Sequence, residues 1–66
     1  MKHNKRLTNH LNKAYEHNEK ARNIIQKELN KETDNKKISI LTHYKVKTLD
    51  IKLKLKNLID NVDELL

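Results

Sequence analysis

The sequence predicts an all-α fold, an antiparallel two-helix hairpin that dimerises into a four-helix bundle. Three observations carry this. The 66 residues contain no Gly and no Pro, so the usual turn residues of β-hairpins and the usual helix breakers are missing. Apolar residues recur at alternating steps of three and four through both halves, the period of one helix face. One polar segment, Asn30 to Lys37 (NKETDNKK), divides the chain near its middle.

The first helix is expected over about residues 3–31. Leu7, Leu11, Ala14, Asn18, Ala21 and Ile25 follow steps of 4, 3, 4, 3 and 4, a heptad seam. Tyr15, Ile24 and Leu29 widen it. From Leu7 to Asn35 five basic residues balance five acidic ones, so this helix has an ordinary solvated outer face. Asn18 sits in mid-seam, where a polar residue fixes register or oligomeric state at a cost in stability.

The turn is expected over about residues 32–37. Thr33, Asp34 and Asn35 bond their own backbone in turns and at helix N-caps. Each half of the chain is then a helix of ~40 Å at ~1.5 Å per residue. Residues 1–66 form a single domain.

The second helix is expected over about residues 38–65. Leu41, Tyr44, Thr48, Ile51, Leu55, Leu58, Val62 and Leu65 alternate steps of three and four without a break. Within it, Leu49 to Lys56 (LDIKLKLK) also reads as a strict two-residue alternation, the mark of a half-buried strand, and Ile38, Ile40, Thr42, Val46 and Thr48 favour strands. The longer helical period outweighs that local pattern, leaving a β-hairpin over 38–56 as the alternative. On a helix, Ile51 and Leu55 join the seam while Val46, Leu49 and Leu53 form a second apolar stripe. A helix apolar on two sides has two partners: the first helix, and a second copy or another protein. Folding the hairpin about Asn35 sets Ala14 near Leu55, Leu7 near Val62 and Ile25 near Tyr44. It also returns Asp60, Asp63 and Glu64 to Lys2, Lys5 and Arg6, a pairing that selects topology more than it stabilises.

Composition narrows function. A chain this short buries too little apolar area to fold comfortably alone. With no Cys it has neither disulfides nor thiolate metal sites, so self-association is the expected remedy, as a homodimer. No run of 18 apolar residues offers a membrane span, and no apolar segment follows the basic N-terminus, MKHNKRLTNHLNK, as a secretory signal requires. A cytoplasmic location is expected.

No catalytic constellation is present. There is no Cys nucleophile and no Gly-rich phosphate loop, and a thin hairpin offers no concavity for a small-molecule substrate. No enzyme activity, cofactor or metal is expected. His3, His10 and His17 repeat every seven residues, about 10 Å apart along a helix, whereas two imidazoles on one metal need a spacing of three or four. These and His43 read as exposed polar residues. TLDIKL resembles a helix of the small sporulation aspartyl-phosphate phosphatases, but Val46 stands four before Asp50 where that family's motif has Ser, so its activity is not carried over.

Two interaction surfaces remain. The first is Val46, Leu49 and Leu53, with Lys45, Lys52 and Lys56 beside them. An exposed apolar stripe marks a contact surface, and a helix face of this kind fits a groove on a protein target. The second is the lysine-rich run. The net charge is +6, and residues 36–56 hold seven Lys against one acid, Asp50. Lys45, Lys47, Lys52, Lys54 and Lys56 offer a phosphate-tracking surface for RNA or DNA, although only two of the 15 basic residues are Arg, the residue favoured for bidentate contacts. The sequence thus reads as a small regulatory or inhibitory module acting on a protein, with nucleic-acid binding as the alternative. In size and composition it is similar to plasmid- and phage-borne accessory proteins, and in architecture it resembles plasmid RNA-regulating hairpin dimers.

Overall fold

The computed structural model describes residues 2–62. They form two helices, α1 (Lys2–Lys31) and α2 (Asn35–Asn61), packed antiparallel. No strand occurs among the described residues, so the β-hairpin alternative is set aside.

A chain without Gly reverses here through side-chain chemistry. Residues 32–34 form the whole turn, and no backbone φ among the described residues is positive. The Glu32 carboxylate accepts from the backbone N–H groups of Thr33 (3.2 Å) and Asp34 (3.1 Å). Asp34, extended at φ −78° and ψ 119°, caps α2: its carboxylate accepts from Lys36 N–H at 2.9 Å. That cap explains why α2 starts at Asn35 and not near residue 38. Once Asp34 takes an orphan amide, Asn35, Lys36 and Lys37 join the helix. The far end tightens, with Val62 N–H donating to the Ile59 carbonyl. The expected helix end at 65, the last seam residue Leu65, and the pairing that involves Asp63 and Glu64 lie outside the described residues, and of Lys2 only the backbone is described.

The helices meet along a seam rotated from the expected one and shifted in register. The turn centres on Thr33 and not Asn35, so with Asn18 on Thr48 Ala14 is level with Ile51 and Leu7 with Leu58, not with Leu55 and Val62. In α1, Leu11, Tyr15, Asn18, Arg22, Ile25 and Leu29 turn inward, while Leu7, Ala14 and Ala21 are exposed. In α2, Ile38, Leu41, Thr48, Lys52, Leu55, Ile59 and Val62 turn inward, while Tyr44, Ile51 and Leu58 are exposed. Each helix keeps one heptad column of the expected seam and replaces the other. The reason lies in side-chain size and charge. Two Ala bring little area to a contact, whereas Tyr15 and Leu29 bring much more, and Glu19 beside them brings a carboxylate that meets Lys52 of α2.

The interior is thin. Val62 is the one buried apolar residue among those described. The molecule measures 50 × 14 × 11 Å, with a radius of gyration of 15.3 Å, against roughly 11 Å for a compact chain of this length.

Candidate interaction surfaces

The middle of the hairpin is polar and its ends are apolar. Asn18 Nδ2 donates to the Thr48 carbonyl at 2.9 Å, and the Thr48 hydroxyl donates back along α2 to the carbonyls of Tyr44 (2.8 Å) and Lys45 (3.0 Å). Beside them Glu19 Oε1 accepts from Arg22 Nη1 at 3.0 Å and pairs with Lys52 Nζ at 3.6 Å. The hydrogen bond from Arg22, with the two nearby cations, lowers the Glu19 carboxyl below its ordinary value. Arg22 Nε is buried there without a partner. Toward the turn, Ile25, Leu29, Ile38 and Leu41 close the seam. Toward the open end, Leu11, Tyr15, Leu55, Ile59 and Val62 do so. The Asn18 bond is a polar contact between the two helices at mid-seam, the place where an Asn can set register.

This arrangement sorts the expected site residues. Val46 (58% exposed), Leu49 (41%) and Leu53 (57%) stand on the surface of α2. At 100° per residue they lie on the flank opposite Tyr44, Ile51 and Leu58. Lys45 and Lys56 are exposed between that stripe and the seam. Lys52 is drawn inward: its side chain is 29% exposed, against 73% for Lys54. Lys54 in turn pairs with Asp50 at 3.0 Å. The lysines do not form one surface. Lys45, Lys52 and Lys56 lie on one side of α2, and Lys47 and Lys54 on nearly the opposite side.

A second apolar face was hidden from sequence reasoning because it shares residues with the expected seam. Leu7, Ala14, Ala21 and Ile24 of α1, with Ile40, Tyr44, Ile51 and Leu58 of α2, are all exposed. Near the turn an open recess lined by Glu28, Glu32, Lys37, Ile40 and Leu41 joins the two helices on this side. The signal was present in the sequence: each helix offers two heptad columns that can accompany the shared one, and only packing decides between them.

His10 and His17 are exposed, and the side chain of His3 lies outside the described residues. No group of three or more His, Asp or Glu suited to a metal occurs among the described residues. No described helix is long and apolar enough to cross a membrane. Compared with known proteins, the chain matches no family model, no curated protein and no solved structure.

Proposed function

We propose that the chain is a small, non-enzymatic interaction module: its hairpins pair into a four-helix bundle, and the Val46–Leu49–Leu53 face of α2 regulates or inhibits a protein partner. The supporting observation is that stripe. Three large apolar side chains spaced as one helix face are exposed on the outer flank of α2, outside the inward-turned seam positions. Leaving them in water is unfavourable by ~25 cal/mol per Å² of apolar surface that a partner would otherwise cover. Lys45 and Lys56 beside the stripe favour a partner with acidic residues rimming an apolar groove.

The lysines argue against the nucleic-acid alternative. Two of the five candidates, Lys52 and Lys54, are engaged with Glu19 and Asp50, and the five divide between opposite sides of the helix. A backbone-tracking surface needs a continuous run of free cations.

The test uses the whole chain as bait in extracts of the cells that make it. A partner held by the wild type should be lost with Leu53→Asp and weakened with Lys45→Glu plus Lys56→Glu. In parallel, duplex RNA and DNA are titrated at low and high salt. Salt-sensitive nucleic-acid binding abolished by the lysine reversals, with no protein lost on Leu53→Asp, would replace this reading with the alternative.

A further inference from the structure

The dimer reading above leaves open which face the second copy covers, and the geometry points to one. We infer that two hairpins pack face to face through Leu7, Ala14, Ala21, Tyr44, Ile51 and Leu58, about a twofold axis parallel to the helices, with both turns at the same end.

The first argument is direction. In α1, Leu11, Asn18 and Ile25 face α2, and the neighbouring column Leu7, Ala14, Ala21 faces outward on one side. In α2, Leu41, Thr48, Leu55 and Val62 face α1, and the column Tyr44, Ile51, Leu58 faces outward. In an antiparallel pair these two outward columns lie on the same side, as the recess shared by Glu28, Lys37 and Ile40 shows. Each heptad seam of the sequence therefore points between the hairpin partner and this open face. That bisecting direction is the axis of a four-helix bundle.

The second argument is area. The hairpin exposes 5603 Å², whereas a folded monomer of 7.9 kDa exposes roughly 4,400 Å². The excess of about 1,200 Å² is more than the ~800 Å² that each partner commits to a standard interface.

The third argument is complementarity, and it selects the axis. The turn centres on Thr33, so residues nearly equidistant from it sit at one height, as the Asn18–Thr48 bond confirms. Leu7 is then level with Leu58, Ala14 with Ile51, Ala21 with Tyr44, and Glu28 with Lys37. An axis parallel to the helices lays α1 of one copy over α2 of the other without changing height. Each layer then meets its complement across the interface: Leu7 on Leu58, the small Ala14 on Ile51, the small Ala21 on Tyr44, and Glu28 on Lys37. Ile24 likewise meets Ile40. Small against large is how helices interdigitate, and all neighbours in the bundle are antiparallel. A perpendicular axis centred on these layers instead stacks Leu7 and Leu58 on the charged Glu28 and Lys37 layer.

The experiment combines solution mass with one distance. The chain has no Cys, so Thr33→Cys carries a single spin label per turn. The inference expects a dimer with labels about 10–20 Å apart, the width of a bundle of helices spaced 8–10 Å. It expects Ile51→Asp to raise the dimer dissociation constant at least a hundredfold, and Leu53→Asp to leave it within about twofold, the size of a typical surface effect. A wild-type dimer with turns near 50 Å apart, the length of the molecule, would overturn the axis. A dimer broken by Leu53→Asp and not by Ile51→Asp would overturn the face and leave the dimer reading standing. A wild-type monomer at millimolar concentration would overturn both.

Discussion

The two helices differ by only three residues in length, 30 against 27, yet their surfaces are unequal. Of the large apolar side chains exposed on the hairpin, α1 carries Leu7 and Ile24, and α2 carries Ile40, Tyr44, Val46, Leu49, Ile51, Leu53 and Leu58. α1 has one apolar side that merges into the hairpin seam, with a balanced charged face behind it. α2 is apolar toward α1, toward the open face of the hairpin, and on its outer flank. Two helices of one pair can thus leave unequal amounts of apolar surface uncovered. More uncovered apolar surface therefore lies on α2 than on α1, which is why the proposed contacts concentrate there.

The sharpest way to break that comparison is within α2, at two leucines two residues apart. Leu55 faces α1 and Leu53 faces away. Leu55→Ala should cost about 2–3 kcal/mol, the lower part of the range for buried Leu→Ala because the site is only partly enclosed. Leu53→Ala should stay within about 0.5 kcal/mol, as surface substitutions do. Urea unfolding followed by circular dichroism gives both numbers. Equal losses at the two positions would mean that the inner and outer flanks of α2 are wrongly assigned.

The polar centre offers the next contrast. Asn18→Leu removes the bond to the Thr48 carbonyl, an acceptor that also serves the α2 backbone, so nothing is stranded. An apolar replacement of a seam Asn is neutral or stabilising while relaxing register. The melt should hold or rise, by up to about 1 kcal/mol of apolar burial. Paired spin labels on α1 and α2 should show a broader distance distribution than in the wild type. A lower melting point with an unchanged distribution would assign Asn18 to stability and not to register.

These contrasts also mark how far the sequence could be read. The hairpin was legible because two long patterns of period 3.6 flank one polar segment and no Gly or Pro interrupts either. The seam was legible only to one column of two. Leu11, Ile25, Leu41 and Leu55 fit any packing, but the choice between Ala14 and Tyr15, or between Ile51 and Lys52, depends on what the facing helix presents. Lys52 turns inward because Glu19 waits for it, a cross-helix ion pair that neither helix announces alone. The open face was illegible for the same reason: its residues looked spent on the hairpin. The stripe of Val46, Leu49 and Leu53 was readable from spacing, since no seam through Ile51 and Leu55 can also hold it.

The turn gives a smaller effect that tests its side-chain origin. Asp34→Ala removes the carboxylate that holds Lys36 N–H and should cost about 1 kcal/mol, or roughly 4–8 °C in melting temperature for a domain near this size. Thr33→Ala, which keeps the backbone N–H that donates to Glu32, should change the melt by less than about 2 °C on the same scale. If the two variants melt together, the Asp34 cap is not what starts α2.

The smallest effect concerns acid. Glu19 accepts from Arg22 and faces Lys52, and its carboxyl is lowered in the folded state. A carboxylate whose folded value lies below its unfolded value contributes stability in full above the unfolded value, and that contribution is lost as pH falls through the folded value. The window therefore lies at and below the ordinary glutamate range. Because the Glu19 side chain remains about a third exposed, screening keeps the gain small and sensitive to salt. Glu19→Gln should flatten this acid part of the stability profile while leaving the neutral-pH melt nearly unchanged. High salt should flatten the wild-type profile in the same way. Should the Gln variant keep the full wild-type slope in acid, the titrating group lies elsewhere, and the ion pair that draws Lys52 inward is a consequence of packing rather than a reason for it.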